Sequence, residues 1–391
     1  MLIKVELFFK YLRYILKAKK NWSSPSKSQI LIYDESGINM LSRYFQKWNP
    51  EVLHVRGEII NIRVLIGSLF KNGNAHDAYV DQYIRIVKPD LVITFIDNNL
   101  NFLAISQRHK SLKTLFIQNG MRYYHGDIFY VLDFINPESL KNLKVDKMLT
   151  FGQITGSHYK KYISGSYIPV GSVTNNLVPR QIHLDTDIIA FISQFKGGRT
   201  INGKYYDYNE YAALTVKNIM HFLKKYTKLK RKKLMIIPRF HKDSISRKQE
   251  EEYYDKLLGY KTEFLEFDQE FSSYHACDMA EIVVSVDSTL GIESIARGNK
   301  TALFSVRGEI FDLEGFSFGW PSEYADQGPF WTNNSNNASL ETVLDYLLEI
   351  DNVQWEKDIK NSNFSSLMNF DKDNSILKMS INDIMDELNA K

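Results

Sequence analysis

A short polar run between a strand-like and a helix-like segment is the first candidate for chemistry in this sequence. EIVVSV is typical of a buried strand and STLGIESIAR of a helix, and Asp287, Ser288 and Thr289 fall where the two meet. Unpaired backbone N–H groups at the start of a helix, with two hydroxyls beside them, favour an anion such as a phosphate. Glu293, about one helical turn beyond Thr289, is placed to reach a ribose hydroxyl. The competing interpretation is an ordinary capped helix, with Ser288 or Thr289 as the cap.

Two more strand-like runs in the same half of the chain end in side chains that suit an anion. IIPRFHKD places polar side chains after a strand that Pro238 ends, and FISQFKGGR does the same before a Gly-Gly pair. In open parallel sheets, ligands bind beyond the carboxyl ends of the strands. The pattern therefore predicts a nucleotide site made of Ser193, Gln194, Arg239, His241, Asp287, Ser288, Thr289 and Glu293.

Strand ends in the first half of the chain carry a different set of side chains. In VITFIDNNLNF, LFIQNGMR and HVRGEIIN these are Asp97, Asn98, Gln118, Asn119, Arg122 and Glu58. Amides and a cation hold sugar hydroxyls, while a carboxylate such as Asp97 or Glu58 serves as base or nucleophile. The competing interpretation of Asp97 is the cap of a helix that starts near Asn99.

Residues at the ends of parallel strands require alternating strands and helices, and the chain contains two such series. The first has strand-like runs at Gln29–Tyr33, Val52–Val55, Leu91–Phe95, Thr114–Ile117 and Lys147–Phe151, and the second at Ile188–Ser193, Leu234–Ile237, Thr262–Leu265, Ile282–Val286 and Ala302–Ser305. Helical patterns separate most of them, which predicts α/β architecture with parallel sheets. We expect two doubly wound, Rossmann-like domains facing a central cleft, at residues 25–178 and 179–345. A helical, mostly polar tail would follow at 346–391.

Composition limits the partners. With 49 Lys and Arg against 46 Asp and Glu, the net charge of +3 gives no argument for nucleic acid. The single cysteine, Cys277, excludes a disulfide framework and indicates a reducing compartment.

The N-terminal segment, residues 1–24, is both apolar and basic. MLIKVELFFKYLRYILKAKKNW places apolar residues at helical spacing among lysines and an arginine. Those charges, and the lack of a small-residue cleavage site after them, are untypical of a signal peptide. We expect an amphipathic helix that either lies on an anionic membrane surface or packs on the protein's own body.

Taken together, the motifs resemble one family. VRGEIIN, ITFIDNN, FIQNG, PVGSVTNN, FISQF, IIPRFH and VDSTLGIESIARGNKTALFS are similar to segments of bacterial surface carbohydrate biosynthesis proteins. Those proteins are similar to GT-B glycosyltransferases that use CMP-activated acidic sugars, such as Kdo and pseudaminic acid, for capsule or O-antigen. The resemblance implies a cytoplasmic glycosyltransferase with a CMP-sugar donor, a glycan or lipid-linked glycan acceptor and no separate cofactor. It also implies retention of configuration through Asp97 as nucleophile. This sequence departs from the family in reading Pro238-Arg239-Phe240-His241, where relatives often place His before Pro.

Two alternatives to a transferase remain open at the level of sequence. A sugar-nucleotide epimerase or hydrolase would share the fold and the DSTLGIE run, and a non-catalytic assembly factor would leave the cleft unused. No metal is expected. DTD at Asp185–Asp187 precedes a strand and DKD at Asp371–Asp373 lies in the tail, so both are interpreted as solvated turns.

Overall fold

The computed structural model describes residues 16–69, 71, 74–181, 187–196, 199–201, 204–206, 208–313 and 315–390. The strands of the first half are β1 (Lys19–Asn21), β2 (Ile30–Tyr33), β3 (Glu51–Leu53), β4 (Ile59–Asn61), β5 (Leu91–Thr94), β6 (Lys113–Ile117), β7 (Lys144–Thr150) and β8 (Ser164–Pro169). Six of them form one parallel sheet in the order β3-β2-β5-β6-β7-β8, while β1 and β4 pair separately as a short parallel ribbon. The helices of this half are α1 (Ile38–Phe45), α2 (Ile62–Ser68), α3 (Ala75–Val87), α4 (Leu100–Leu103), α5 (Ile105–Arg108), α6 (Ile128–Asp133), α7 (Pro137–Leu140), α8 (Gln153–Tyr159) and α9 (Val173–Leu177).

The second half builds another parallel sheet. Its strands are β9 (Ile188–Ile192), β10 (Arg199–Ile201), β11 (Lys204–Tyr206), β12 (Lys233–Ile237), β13 (Ile282–Ser285), β14 (Thr301–Phe304) and β15 (Trp331–Thr332). Five form a sheet in the order β12-β9-β13-β14-β15, and β10 pairs antiparallel with β11. The helices are α10 (Tyr208–Lys230), α11 (Ile245–Leu258), α12 (Ser272–Met279), α13 (Thr289–Ala296), α14 (Arg307–Phe311), α15 (Asn337–Glu349), α16 (Asn352–Asn361) and α17 (Ser375–Asn389), with 3-10 turns at Gln46–Trp48, Phe364–Ser366 and Lys372–Asn374.

The central strands of both sheets are covered on both faces. All four residues of β5 (LVIT) and all four of β13 (IVVS) are buried, because helices pack on each side of a parallel sheet. Such strands are continuous apolar runs in the sequence, and for that reason they could be predicted from it. The predicted α/β class, with two doubly wound parallel sheets, is confirmed.

The C-terminal helices form the helical tail that the sequence predicts, but they pack on both halves of the chain instead of being polar throughout. Trp355 of α16 packs in the apolar core of the second sheet. Leu377, Ile381 and Ile384 of α17 pack in the core beneath the first sheet. The chain therefore crosses back to its first half after completing the second. Asp371, expected in a solvated turn, is 7% exposed and accepts hydrogen bonds from the Ser375 hydroxyl and the Ile376 N–H.

Three further predictions differ from the structure. Thr262–Leu265 forms only an isolated bridge between Phe264 and Ile236, and β8 and β15 are additional strands. In the N-terminal segment, Lys19–Asn21 is a strand paired with β4, so the predicted helix does not extend through residue 24. Its first 15 residues lie outside the described part of the chain. The domain limits remain a prediction, and no helix among the described residues is long and apolar enough to cross a bilayer.

Candidate active site

The carboxyl ends of the two sheets face each other across a cavity of about 430 Å³. Its first wall, from the first half of the chain, consists of Asn98, Met121, Tyr123, His125, Gly126 and Asp127. Its second wall, from the second half, consists of Gln194, Lys196, Arg239, Asp287, Ser288, Thr289, Arg307 and Phe316. Of the predicted site residues, the structure therefore brings Asn98, Gln194, Arg239, Asp287, Ser288 and Thr289 together at one cavity.

The start of α13 is open toward this cavity. Ser288 occupies the cap position, but its side chain makes no capping hydrogen bond, so the ordinary capped helix proposed as the alternative is not what forms. The helix also approaches its strand closely, because a Cβ at Gly291 would lie 2.4 Å from the Cβ of Ser285. Glycine at this position lets α13 pack directly on the end of β13. The Gly291 N–H donates to the Ser288 carbonyl, while the earlier N–H groups of a helix start have no intrahelical partner and suit an anion.

Two hydrogen bonds join the walls at this point. The Met121 N–H donates to Oγ1 of Thr289 at 3.0 Å, and the Tyr123 hydroxyl donates to the carbonyl of Asp287 at 3.0 Å. Burial raises the pKa of Tyr123, so its hydroxyl remains a neutral donor. The first wall therefore holds the loop that opens α13 in a fixed position.

Positive charge lines the second wall. Arg239 exposes its guanidinium, while its backbone N–H donates to the buried carboxylate of Glu250 at 3.0 Å. Burial raises the pKa of Glu250. Arg307 forms an ion pair with Asp287 behind the opening of α13. Lys196 adds a third cation to the cavity lining.

Three residues predicted for the nucleotide site lie elsewhere. His241 lies two positions after Arg239 but points to solvent, 74% exposed, with Asp243 as its nearest partner. Ser193 is buried and accepts hydrogen bonds from the Tyr254 hydroxyl and the Phe195 N–H.

Glu293 is the third of these residues. It lies on the buried face of α13, where Ser172 and Tyr274 donate to its carboxylate. Burial raises the pKa of Glu293. Because Ser172 caps α9 in the connection between the two halves, Glu293 fastens that connection and does not face the cavity.

Asp97 is enclosed behind the first wall, with no exposed surface. Arg122 donates to both of its carboxylate oxygens, Tyr159 donates to Oδ2 at 2.8 Å, and the Asn119 N–H donates to Oδ1 at 3.3 Å. Burial raises the pKa of Tyr159, which therefore remains a hydroxyl donor. A nucleophile needs a free lone pair and a path to the sugar carbon. The environment of Asp97 offers neither, and the residue instead anchors Arg122.

The other polar residues of the segment 118–122 support the loop that forms the first wall. Gln118 is buried, donates to the carbonyl of Gly120 at 2.9 Å and accepts from the Phe151 N–H. Asn119 accepts from Arg122 at 2.6 Å. Arg122 is 8% exposed and reaches from Asp97 to Asp127, so these three predicted substrate-binding residues act on the shape of the loop.

The segment between β6 and α6 supplies titratable groups that the sequence interpretation missed. His125 and Asp127 both line the cavity. Asp127 caps α6 through the Ile128 N–H and accepts from Asn98 at 2.9 Å and from Arg122 at 3.3 Å. The available signal was the run YYHGD directly after FIQNGMR, whose Gly126 adopts positive φ before the helix.

Glu58, the second catalytic candidate, lies outside the cavity. It is exposed, and its carboxylate, that of Glu35 and a ring nitrogen of His54 have ligand atoms within 4.8 Å of one another. His54 Nδ1 is 2.7 Å from Glu35. Among the described residues, this is the group of side chains with the composition of a metal site. That the protein needs no metal therefore remains a prediction.

The chain is similar to known proteins in family and in fold. Residues 115–385, more than half of the chain, match the model of a family described as "putative O-antigen biosynthesis protein". The chain belongs to that family. A search of curated proteins found no match.

Several solved structures share the fold at low sequence identity. The co-structure of MnaA from S. aureus with UDP has 15% identity and a TM-score of 0.52, with 95% of this chain and 97% of that chain covered. Sucrose-phosphate synthase from Thermosynechococcus elongatus has 12% identity and a TM-score of 0.52, covering 93% and 100%. UDP-GlcNAc 2-epimerase from Neisseria meningitidis, bound to UDP-GlcNAc, has 12% identity and a TM-score of 0.50, covering 92% and 99%. These similarities confirm the GT-B-like arrangement of the fold.

Proposed function

We propose that this protein is a glycosyltransferase that moves a sugar from a nucleotide donor to a glycan acceptor during surface polysaccharide synthesis. The observation that carries this proposal is the shared cavity, in which an uncapped helix start and Arg239 face His125 and Asp127. One wall suits the phosphate of a donor, and the other suits an acceptor hydroxyl. Membership of an O-antigen biosynthesis family supports the same reaction class.

The donor phosphate belongs at the second wall. The N–H groups that open α13, the Ser288 and Thr289 hydroxyls, and the Arg239 and Lys196 cations would hold it. These groups also stabilise the negative charge on the departing nucleotide. The proposed donor is a CMP-linked acidic sugar of the pseudaminic acid or Kdo class. The cationic wall supports this choice, because such a donor brings a sugar carboxylate as well as a phosphate.

The acceptor hydroxyl belongs at the first wall, with His125 as its general base. A neutral imidazole accepts a proton, and histidine is the side chain that most often serves as a general base. The acceptor oxygen forms a bond to the anomeric carbon while that carbon's bond to the phosphate oxygen breaks. The proton passes to His125, and the bonding electron pair leaves with the nucleotide. This single displacement inverts the anomeric configuration.

The retaining route implied by the family resemblance requires a carboxylate that can reach the sugar. Asp97 does not meet that requirement, since its oxygens are enclosed by Arg122, Tyr159 and Asn119. Asp127 lines the cavity and is the carboxylate that would serve as the nucleophile. Incubation with donor alone separates the routes, because only a nucleophile gains the mass of one sugar.

The test compares His125→Asn with His241→Asn, whose histidine is exposed outside the cavity. We expect His125→Asn to lower turnover by about 10²- to 10⁴-fold while donor binding persists. The control variant should keep full turnover. Melting temperatures with CMP, CDP, UDP and GDP would identify the nucleotide, and full activity of His125→Asn would refute the assignment of the base.

An epimerase or hydrolase is the second candidate function, and the fold shared with UDP-GlcNAc 2-epimerase is the observation in its favour. Such an enzyme consumes its sugar nucleotide without an acceptor. Product analysis with and without a glycan acceptor distinguishes it from a transferase. A non-catalytic assembly factor would consume nothing in either experiment.

We also propose that the N-terminal segment holds the enzyme at the inner face of the cytoplasmic membrane. Leu16 is 67% exposed and Trp22 65% exposed, beside the exposed lysines Lys17, Lys19 and Lys20. Apolar side chains with adjacent cations favour an anionic bilayer surface.

Point substitutions test this attachment better than deletion of residues 1–20, because deletion would also remove most of β1. Trp22→Ser combined with Lys17→Glu and Lys20→Glu should abolish co-sedimentation with phosphatidylglycerol vesicles and leave turnover of a soluble acceptor unchanged. Unaltered co-sedimentation would exclude this segment as the anchor.

A further inference from the structure

A row of aromatic rings leads from the cavity to the outer surface of the first half. Phe316 and His125 are stacked with centroids 6.1 Å apart, and His125 is 6.0 Å from Tyr130. Tyr130 is 4.8 Å from Phe134. These four residues, called here the aromatic strip, form a continuous path of ring contacts out of the active site.

The outer part of the strip is exposed although its backbone is firmly held. Tyr130 is 40% exposed and Phe134 is 72% exposed. Tyr130 lies on α6 and Phe134 is its C-cap. The helix is anchored by Ile128, Phe129 and Leu132, which are buried in an apolar core of the first half. An exposed aromatic surface on a rigid element, continuous with a ligand cavity, is typical of a binding surface.

Polar groups beside the strip suit sugar rings. The Tyr162 hydroxyl donates to the Asp133 carboxylate at 2.6 Å, and on the next helix, α7, the exposed Glu138 forms an ion pair with Lys141 at 2.7 Å. Carboxylate oxygens of this kind accept hydrogen bonds from sugar hydroxyls. The apolar C–H face of a sugar ring also packs on the electron-rich face of an aromatic ring.

We propose that the aromatic strip binds the glycan part of the acceptor, so that the enzyme prefers an acceptor several sugars long. This inference rests on the proposed function, which places the reacting hydroxyl at His125, the inner part of the strip. The sugar that reacts lies in the cavity, and the sugars that precede it extend over Tyr130 and Phe134. Specificity for chain length therefore resides outside the catalytic residues.

The experiment measures glycan binding by titration calorimetry in the absence of donor. The probes are fragments of one, two and four repeating units, cut from the surface polysaccharide of the bacterium that encodes this chain. We expect Phe134→Ala to weaken binding of the four-unit fragment by about three- to tenfold and to leave the one-unit fragment unaffected. Leu229→Ala is the matched control, because Leu229 is likewise 72% exposed but lies on α10.

A second variant separates ring stacking from simple apolar contact. Phe134→Leu keeps an apolar side chain without a ring face, and we expect it to lose most of the same affinity. Wild-type binding by Phe134→Leu, or equal affinity of the wild type for all three fragments, would overturn the proposal. So would a loss of vesicle co-sedimentation in Phe134→Ala with glycan binding intact. Transfer of sugar is assayed separately, so a wild type that binds the long fragment through Phe134 but transfers nothing would refute only the proposed function.

Discussion

The polar residues at strand ends have opposite orientations on the two walls of the cavity. On the second wall, Arg239, Ser288 and Thr289 face the cavity from the positions that the sequence indicates. On the first wall, Asp97 and Arg122 are buried behind the surface and hold it in place. A strand end thus predicts which edge of a sheet a residue occupies, but it does not predict the direction of the side chain.

The connections after β13 and β6 illustrate the difference. After β13, α13 begins within a few residues, and the N–H groups at its start point outward whichever way the side chains turn. After β6, the chain runs through residues 118–127 before α6 begins. Such a segment folds back on the sheet and needs buried partners for its own polar groups. Asp97 and Gln118 supply them.

The strongest test of this contrast is Asp97→Asn. We expect a loss of about 3–5 kcal/mol in the free energy of unfolding, because the substitution leaves the buried Arg122 without its main counter-charge. Urea unfolding of the wild type and the variant measures it, and Asp127→Asn serves as a partly exposed comparison. If Asp97 were instead the nucleophile, the variant would keep its stability and lose turnover while still binding donor.

Acid should weaken the first half through His158, which lies behind the same wall. Its ring is 4.3 Å from that of Phe129 and 5.0 Å from that of Trp320, and burial lowers the pKa of His158 to about 4. Between that pKa and the ordinary value of about 6.5, the unfolded chain binds a proton that the folded chain does not. The contribution of His158 is therefore complete above about pH 6.5 and is lost as the pH falls toward 4.

His158→Phe checks this pH dependence. The wild type should lose about 2–3 kcal/mol more than the variant between pH 7 and pH 4.5, as measured by urea unfolding. His241→Phe, in which an exposed histidine is replaced, should behave as the wild type does. An identical loss in all three proteins would show that other groups account for the acid sensitivity.

Much of the fold could be predicted from sequence, and less of the site. Buried strands such as β5 and β13 are continuous apolar runs, whereas β8 (SGSYIP) and the two-residue β15 carry too few apolar residues to be recognised. The helical spacing of apolar residues in α17 also did not reveal that this helix packs in the core beneath the first sheet, because an amphipathic pattern does not specify which core a helix covers. His125 escaped notice since a loop residue has no periodic pattern to mark it.

On the second wall, Thr289→Val removes a hydroxyl and preserves the shape of the side chain. We expect donor affinity to fall by about 1.5–3 kcal/mol, the value of one hydrogen bond to a charged group. Thr342→Val, on the exposed face of α15, is the matched control, and calorimetric titration with the nucleotide measures both. Unchanged affinity for every nucleotide would remove Thr289 from the site and would weaken the contrast between the walls.

The smallest effect is expected at Glu58, whose exposed side chain belongs to neither wall. Glu58→Gln should change the free energy of unfolding by less than about 0.5 kcal/mol, as is usual for surface substitutions. Turnover should also be unchanged, and EDTA should not reduce it, because the proposed charge stabilisation depends on Arg239 and the start of α13. His54→Gln removes a nitrogen from the same group of three and should likewise change neither stability nor turnover.

The opposite outcome would be that EDTA abolishes turnover by the wild type. If added Mn²⁺ or Zn²⁺ then restored turnover in the wild type but not in His54→Gln, Glu35, His54 and Glu58 would hold a metal that the reaction requires. The first half would then contribute to chemistry from a strand end as directly as the second half does.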